Sequence, residues 1–517
     1  MHTEPLVLTF DMGTQSARAL LVNAKGEIVA KKQKYYERPY FSLNPGWAEQ
    51  KAEFYWDAVC ETSQALKAER SDLWGQIGAV TCTCIRDTCL CVDKEGEPLR
   101  DVILWLDNRE ATDLSTLPRV NSLMLRLVQQ KEVAEAVRKA SPCNWIMRHE
   151  PEIWKRTHKF ILISAYFNVK FTGRLVDCAA NIIGHIPFDV KTRTWSKAGD
   201  LKRSLFPVPD EKLCDLVKPG AIIGGISKQA AEETGIPEGI PLVATGSDKG
   251  CETLALTCLQ RETAAALSFG TTATIQISTD RYFELLPYVP PYAGVVGKFN
   301  PELEIYRGYW LISWFKKEFA AKEVADAAAL GVSPEDLLNK RLQEVPAGCD
   351  GLMLQPYFTP GISMPHAKGA MIGFSEVHTR IHIYRAIVEG INYGLMEGLF
   401  LIEKRGKLKI EKIFVAGGGA QSGEICQITA NMFGLPVCRI HTHEACGVGS
   451  SLVAFVANGT YRSYEEAARN MIHIKQEYQP DEREHRLYKK LYGNVYAKVF
   501  DLLTPLYKEL NMILEEN

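Results

Sequence analysis

A chain of 517 residues is too long for one ordinary hydrophobic core, so two or more domains are expected. Apolar residues make up 46% and charged residues 24%, the composition of a soluble globular protein and not of a disordered or fibrous one. With 60 basic and 62 acidic residues the formal net charge is -2, which offers neither a basic field for nucleic acid nor a polybasic anchor for lipid.

The opening stretch Met1 to Phe10 has no Lys or Arg before its short apolar run, which argues against a secretory signal. No run of about 18 apolar residues occurs, so no spanning helix is expected. The 14 cysteines are scattered and read as reduced thiols of a cytoplasmic protein.

Leu6 to Val22 reads as strand, polar turn and strand; Asn23 to Gly26 turns again, and Glu27 to Lys31 supplies a third strand. Ala52 to Lys67 is an amphipathic helix with Phe54, Ala58, Ser63 and Leu66 near one face. Ile77 to Cys84, Cys89 to Val92 and Val102 to Leu106 are short strands. Cys82, Cys84, Cys89 and Cys91 fall at C-x-C-x4-C-x-C. Zinc sites more often space thiolates C-x2-C, whereas i, i+2 places each pair on one face of a strand, so these cysteines read as packed strand residues. Residues 120 to 170 carry helical patterns. Phe171 to Arg174 and Ile236 to Pro241 punctuate the chain with turns.

The opening pattern then returns: Ala264 to Phe269 is apolar, Gly270-Thr271-Thr272 is a polar turn, and Ala273 to Ser278 resumes a strand. Two domains of similar build, 1–253 and 254–517, would leave this near-repeat, and so would chance similarity of two short segments. Ile381 to Glu403 is helical. Strands follow at Lys412 to Ala416 and Pro436 to Ile440, with helices at Glu424 to Phe433 and Gly447 to Ala457. Charged helical patterns form a tail from about Tyr464 to Leu514.

Three turns could carry chemistry. Asp11-Met-Gly13-Thr14 ends a strand, and glycine there lets backbone N–H groups approach phosphate oxygens. Thr14 and Ser16 can add hydroxyls, Arg18 a cation, and Asp11 a carboxylate for magnesium, directly or through water. An ordinary β-turn fits the same residues. Gly417-Gly418-Gly419-Ala420-Gln421-Ser422 lacks the last glycine of a dinucleotide fingerprint, and the chain has no P-loop; the turn could admit a flat adenosine close to the backbone. Gly246-Ser247-Asp248-Lys249-Gly250 follows an apolar strand, Pro241 to Ala244. A carboxylate held there could take a proton from an alcohol, or serve as the N-cap of the following helix, or both.

With these residues in hand, the chain resembles the FGGY family of carbohydrate kinases, which includes glycerol kinase, xylulokinase and ribulokinase, from about Leu6 to Tyr461. Asp11 to Arg18 looks like the family's first phosphate motif, and Asn44-Pro-Gly-Trp-Ala-Glu-Gln50 is similar to its Pro-Gly-Trp-x-Glu segment. Trp145, Pro151-Glu152, Phe171-Thr-Gly173 and Asp177 look like its middle region. Gly246-Ser-Asp248 resembles the catalytic-base motif, Ser268 to Thr272 the second phosphate motif, and Gly417 to Ser422 the adenosine motif. Pro356-Tyr357, Gly369, Gly373 and Arg385-Ala-x-x-Glu389-Gly390 resemble the second-domain signature; Glu444, Gly447 and Gly449 resemble the C-terminal motif.

The resemblance implies an α/β fold of two ribonuclease H-like, actin-like ATPase domains facing a central cleft. It implies ATP and Mg2+ as cofactors and phosphorylation of a hydroxyl of a small sugar or polyol. Asp248 would be the general base; Asp11 and Asp248 would hold magnesium, directly or through water. Gly13, Thr14, Gln15, Ser16 and Arg18, with Gly270, Thr271 and Thr272, would hold phosphates. Gly418, Gly419 and Ala420 would border the adenosine.

Arg86-Asp87 resembles the Arg-Glu of glycerol kinase more than the Met-His usual in xylulokinase, and could grip vicinal hydroxyls or form a surface ion pair. Trp105, Asp107 and Arg109 would border the same pocket, with a place in the core as the alternative for Trp105. Lys249 stands where glycerol kinase has glutamine, and the adenosine motif begins Gly-Gly-Gly in place of Asp-Gly-Gly. A ketose such as a pentulose, or a polyol longer than glycerol, is therefore expected, with glycerol as the alternative. An actin-like ATPase switch or a non-catalytic sugar sensor would share the phosphate turns. A homodimer is an option that these residues leave open.

Overall fold

A computed structural model describes residues 5–127, 130–287, 289–359, 361, 364 and 366–515. Residues 1–4 of the opening stretch and residues 128–129 of the expected helical region lie outside them. The chain divides into two compact units: Met1–Leu259, Tyr292–Asn300 and Ala445–Ile472 form the first, and Gln260–Pro291, Pro301–Glu444 and His473–Asn517 the second.

The first unit is built on a six-stranded sheet of β1 (Leu6–Met12), β2 (Ser16–Val22), β3 (Ile28–Tyr35), β4 (Ile77–Cys84), β5 (Ile222–Gly225) and β6 (Pro241–Val243). Their order is β3-β2-β1-β4-β6-β5. β1 runs antiparallel to β2, with Asp11 opposite Arg18, and parallel to β4, with Asp11 opposite Thr83. All seven residues of β1 are buried, as expected for a central strand covered on both faces. β3 lies at the edge, and its lysines keep that edge soluble and unattractive to further strands.

The second unit repeats the plan with β7 (Ala264–Phe269), β8 (Ala273–Gln276), β9 (Glu302–Ile305), β10 (Lys412–Ala416), β11 (Val437–Ile440) and β12 (Ile474–Tyr478), in the order β9-β8-β7-β10-β11-β12. From β9 onward the neighbours run antiparallel, antiparallel, parallel, parallel and antiparallel, the same succession as from β3 in the first unit. This is the doubled α/β build that the family resemblance implies, with the near-repeat at 264–278 as its second copy.

Both units have cores of their own. In the first, the Ala52–Glu69 helix buries Ala58, Ser63 and Leu66 as expected, adding Tyr55, Trp56 and Val59, while Phe54 is half-buried. Two late segments complete that core. Arg193 donates to the carbonyls of Gly294, Gly297 and Lys298 at 2.8–3.0 Å, which ties down the Tyr292–Asn300 ribbon. The Ala445–Ala457 helix lies so close that a Cβ on Gly449 would stand 2.0 Å from the Cys251 carbonyl oxygen, and one on Gly447 2.2 Å from the Leu20 side chain. Its Ser451 shares a hydrogen bond with Thr9 of β1 at 2.7 Å.

In the second unit the Arg380–Gly406 helix is buried along most of its length. Arg385 pairs with Glu389 at 2.8 Å and donates to the Leu342 and Val345 carbonyls; Glu389 also accepts from Tyr488. The resemblance to a second-domain signature at 385–390 thus falls on a buried polar knot whose every charge has a partner.

Three expectations need correction. The helical stretch 120–170 contains a strand, Lys159–Leu162, paired with Cys89–Val92. The strand expected over 102–106 is only Val102–Ile103. The tail is not wholly helical, because β12 interrupts it. β12 is an exposed edge strand of sequence Ile-Lys-Gln-Glu-Tyr, with only Tyr478 buried, and an edge needs no apolar alternation. Cys82 and Cys84 lie in the main sheet of the first unit, and Cys89 and Cys91 in a separate four-stranded sheet. Among the described residues, no helix is long and apolar enough to cross a membrane.

Candidate active site

The first turn sits between β1 and β2. Gly13 donates its N–H to the Ser16 carbonyl at 3.0 Å, closing the loop around Thr14 and the exposed Gln15. Asp11, 4% exposed, accepts from Arg18 at 2.7 Å. Trp105 donates its indole N–H to the Thr14 hydroxyl at 3.1 Å, and Gln33 donates to Ser16.

Asp248 opens the Asp248–Thr257 helix without capping it. Ser247 is the cap, accepting from the Gly250 N–H at 3.2 Å, which leaves the Asp248 side chain for other work. Its Oδ1 accepts from the neighbouring Lys249 N–H at 2.7 Å. Burial raises the pKa of this carboxyl above the ordinary aspartate range; Arg86 and Lys249 oppose the rise, and Asp11 adds to it. All three charged groups therefore act on Asp248. Lys249 also reaches Glu252 at 3.3 Å. Gly246 is required for packing, since a Cβ there would lie 2.4 Å from Val295.

Arg86 lays its guanidinium over the Tyr292 ring, 4.9 Å from the centroid. Asp87 turns away into a pair with His185, described below. Asp107 and Arg109 form a buried ion pair at 2.8 Å, each side chain 2% exposed. Asp107 also accepts from the Ala48 N–H, and Arg109 stacks on Trp47 at 4.0 Å and Trp145 at 4.5 Å. Together they anchor the Pro-Gly-Trp segment.

In the second unit, Gly270 accepts from the Tyr309 N–H at 3.0 Å, Thr272 donates to the Tyr306 carbonyl at 3.2 Å, and Thr271 is exposed. The three glycines of the 417–419 turn have distinct reasons. Gly417 has φ +88°, and its absent Cβ would meet the Phe269 carbonyl at 2.8 Å; that of Gly419 would meet the Tyr309 ring at 2.3 Å. A Cβ on Gly418 would meet nothing within 4 Å. Ser422 caps the Gly423–Phe433 helix behind the turn. A cavity of about 270 Å³ lies against Gly417, Ala420 and Gln421, walled also by Arg439, His441 and Lys475.

His185, Tyr292 and Cys446 escaped the sequence reading. The Cys446 thiol lies 3.5 Å from Asp11 Oδ1. None stands in a local pattern with its partner, so no spacing rule could find them. Among the described residues, no group of three or more His, Cys, Asp or Glu is arranged to hold a metal. A water-rich magnesium site needs fewer ligands, and the Asp11 and Asp248 carboxylates are hard oxygen donors of the required kind.

This fold and these turns define a class, and comparison with known proteins agrees. Residues 6–255 match the FGGY family of carbohydrate kinases, N-terminal domain, and residues 265–458 match its C-terminal domain. The chain belongs to the FGGY family of carbohydrate kinases and is a carbohydrate kinase. Among individual proteins, it is similar to an uncharacterized sugar kinase, YgcE, of Escherichia coli, 27% identical and covering 93% of this chain and 90% of that one. It is also similar to the xylulose kinase of Bacillus subtilis, 26% identical over 97% of this chain and 98% of that one. In fold it is like the gluconate kinase of Lactobacillus acidophilus, with a TM-score of 0.82 at 21% identity over 98% and 100% of the two chains.

Proposed function

We propose that the enzyme transfers the terminal phosphoryl group of ATP to a hydroxyl of a small sugar, a ketose such as a pentulose, with Asp248 as general base. The observation that carries this reading is the state of Asp248. It is released from capping by Ser247, raised in pKa by burial, and coupled electrically to Arg86, Lys249 and Asp11. A carboxylate made more basic than usual is suited to accept a proton from an alcohol as the oxygen attacks phosphorus.

The backbone N–H groups and hydroxyls of residues 13–16 with Arg18, and those of 270–272, would neutralise phosphate charge, while Gly418 to Ala420 would border the adenosine. The open space at Gly418 supports that last assignment. Asp11 and Asp248 would hold magnesium, which when bound supplies charge neutralisation to the phosphates. Arg86, Trp105 and Lys249 would orient the acceptor. The relatives named xylulose kinase support a ketose, and one named gluconokinase makes an aldonate the second class to assay. The 14 free thiols support a cytoplasmic setting.

The test is a coupled assay of ADP release with ATP, magnesium and a panel of pentuloses, hexuloses, aldonates, pentitols and glycerol. Sugar-stimulated ADP release with a phosphorylated product supports the reading. Release that no sugar stimulates overturns it.

A further inference from the structure

Asp87 is expected to grip acceptor hydroxyls itself, yet each of its oxygens already accepts a hydrogen bond from His185. Oδ1 takes the main-chain N–H at 3.1 Å, and Oδ2 takes the ring Nδ1 at 2.8 Å. The surroundings are shaped for this pair. Asp87 adopts a left-handed φ of 46°, which turns its side chain toward residues 184–185. Gly184, at φ +115°, leaves room that no side chain could share, since a Cβ there would stand 1.9 Å from Asp87 Oδ1. The imidazole stands edge-on to Phe206, 5.9 Å between centroids. Both side chains remain 24% exposed. With Nδ1 committed to Asp87, the ring makes no other hydrogen bond among the described residues, so Nε2 is open. Next along the chain, Arg86 is stacked on Tyr292 and acts on Asp248.

We propose that His185, oriented by Asp87, is a specificity-determining residue of the acceptor site that donates from Nε2 to an oxygen of the sugar. This rests on the kinase reading above. Burial alone would lower the imidazole's affinity for protons, but the Asp87 carboxylate outweighs it and raises the pKa above the ordinary histidine value. That favours the doubly protonated ring, which can donate from both nitrogens at once. The expected grip of one cation and one acid becomes two donors, Arg86 and His185. Two donors suit an acceptor whose gripped end carries only lone pairs, the keto oxygen of a ketose or the carboxylate of an aldonate, over a polyol.

Steady-state kinetics of the full chain with ATP and xylulose, gluconate and xylitol, for wild type, His185→Leu, His185→Gln and Asp87→Asn, test the assignment. His185→Leu is expected to raise the acceptor KM on the order of tenfold to a hundredfold, with the KM for ATP within about twofold of wild type. His185→Gln, which keeps a neutral donor, recovers part of the loss and carries the test if the leucine variant does not fold. Asp87→Asn raises the acceptor KM without moving that for ATP. Wild-type acceptor KM in both His185 variants overturns the assignment and leaves the kinase reading standing. Equal losses in kcat and in both KM values would mark a merely structural pair, and overturn it too. A wild-type preference for xylitol overturns the donor role. A wild-type chain that phosphorylates no sugar overturns the kinase reading first, and this assignment with it.

Discussion

The two units carry the same sheet, and the same three-residue turn joins its first two strands, yet their charges differ. Two residues before the turn glycine, β1 holds Asp11 paired with Arg18, whereas β7 holds Ser268 opposite Thr274. The Asp248 carboxyl, with the cations Arg86 and Lys249 that act on it, is likewise confined to the first unit. One scaffold thus appears twice, once furnished with acid–base groups and once with neutral donors. The comparison teaches that the fold presents the same glycine turn twice, while the residues at the strand ends decide which charges stand beside it.

The sharpest break of that asymmetry is Asp248→Asn. Its kcat is expected to fall by a factor on the order of a hundred or more, while calorimetry still detects ATP binding. Exchanging the acid between units comes next. Ser268→Asp places a carboxylate at a site 2% exposed and should destabilise the protein by about 3 kcal/mol, read as a lowered denaturation midpoint. Asp11→Ser should leave Arg18 without its carboxylate and lower kcat on the order of tenfold, with a higher magnesium requirement.

Glycines sharpen the contrast further. Gly449→Ala in the first unit should cost about 1–3 kcal/mol, because its Cβ would collide with the Cys251 carbonyl. Gly418→Ala in the second should change stability by no more than about 0.5 kcal/mol, yet raise the KM for ATP several-fold.

The smallest effect concerns pH. The His185 pKa is raised from 6.5, so its pairing stabilises the fold fully below that value, and the contribution is lost as pH rises through the higher folded value. Asp87, despite burial, is lowered from 3.8 by His185 and Arg86, so its contribution is present above 3.8 and is lost as pH falls through the lower folded value. The pair therefore contributes most between these ordinary values. Urea melts of His185→Gln across pH 4 to 9 should show a flatter decline above pH 6.5 than wild type; an unaltered decline would count against the pairing.

Much of the fold was legible because it is local. β1, the 13–15 turn and β2 are an apolar run, a glycine turn and a second apolar run, and the recurrence at 264–278 announced the second unit. The Asp248 motif could be read because glycines and a strand frame it. What escaped was set by distant neighbours. Lys159–Leu162 looks helical in isolation and becomes a strand only because Cys89–Val92 offers a partner. β12 carries no apolar alternation, and its place follows from pairing with β11. His185 meets Asp87 across 98 positions, and Tyr292 reaches Arg86 from a ribbon held by Arg193. Asp107 pairs with Arg109 two positions on, a contact that is local, but its bond to the backbone at Ala48 spans 59 positions and had no signal in the sequence.

The threefold passage of the chain through the first unit bears on how the protein comes into being on the ribosome. Leu20, Thr9 and Cys251 obtain their covering helix only from residues 445–457, so the earliest-made half emerges with a groove in its interior that nothing yet fills. Completion waits until nearly nine-tenths of the polypeptide has been synthesised, which leaves apolar surface open to non-native contacts during translation. A fragment ending at residue 259 inherits the same defect permanently and should aggregate where the intact protein does not.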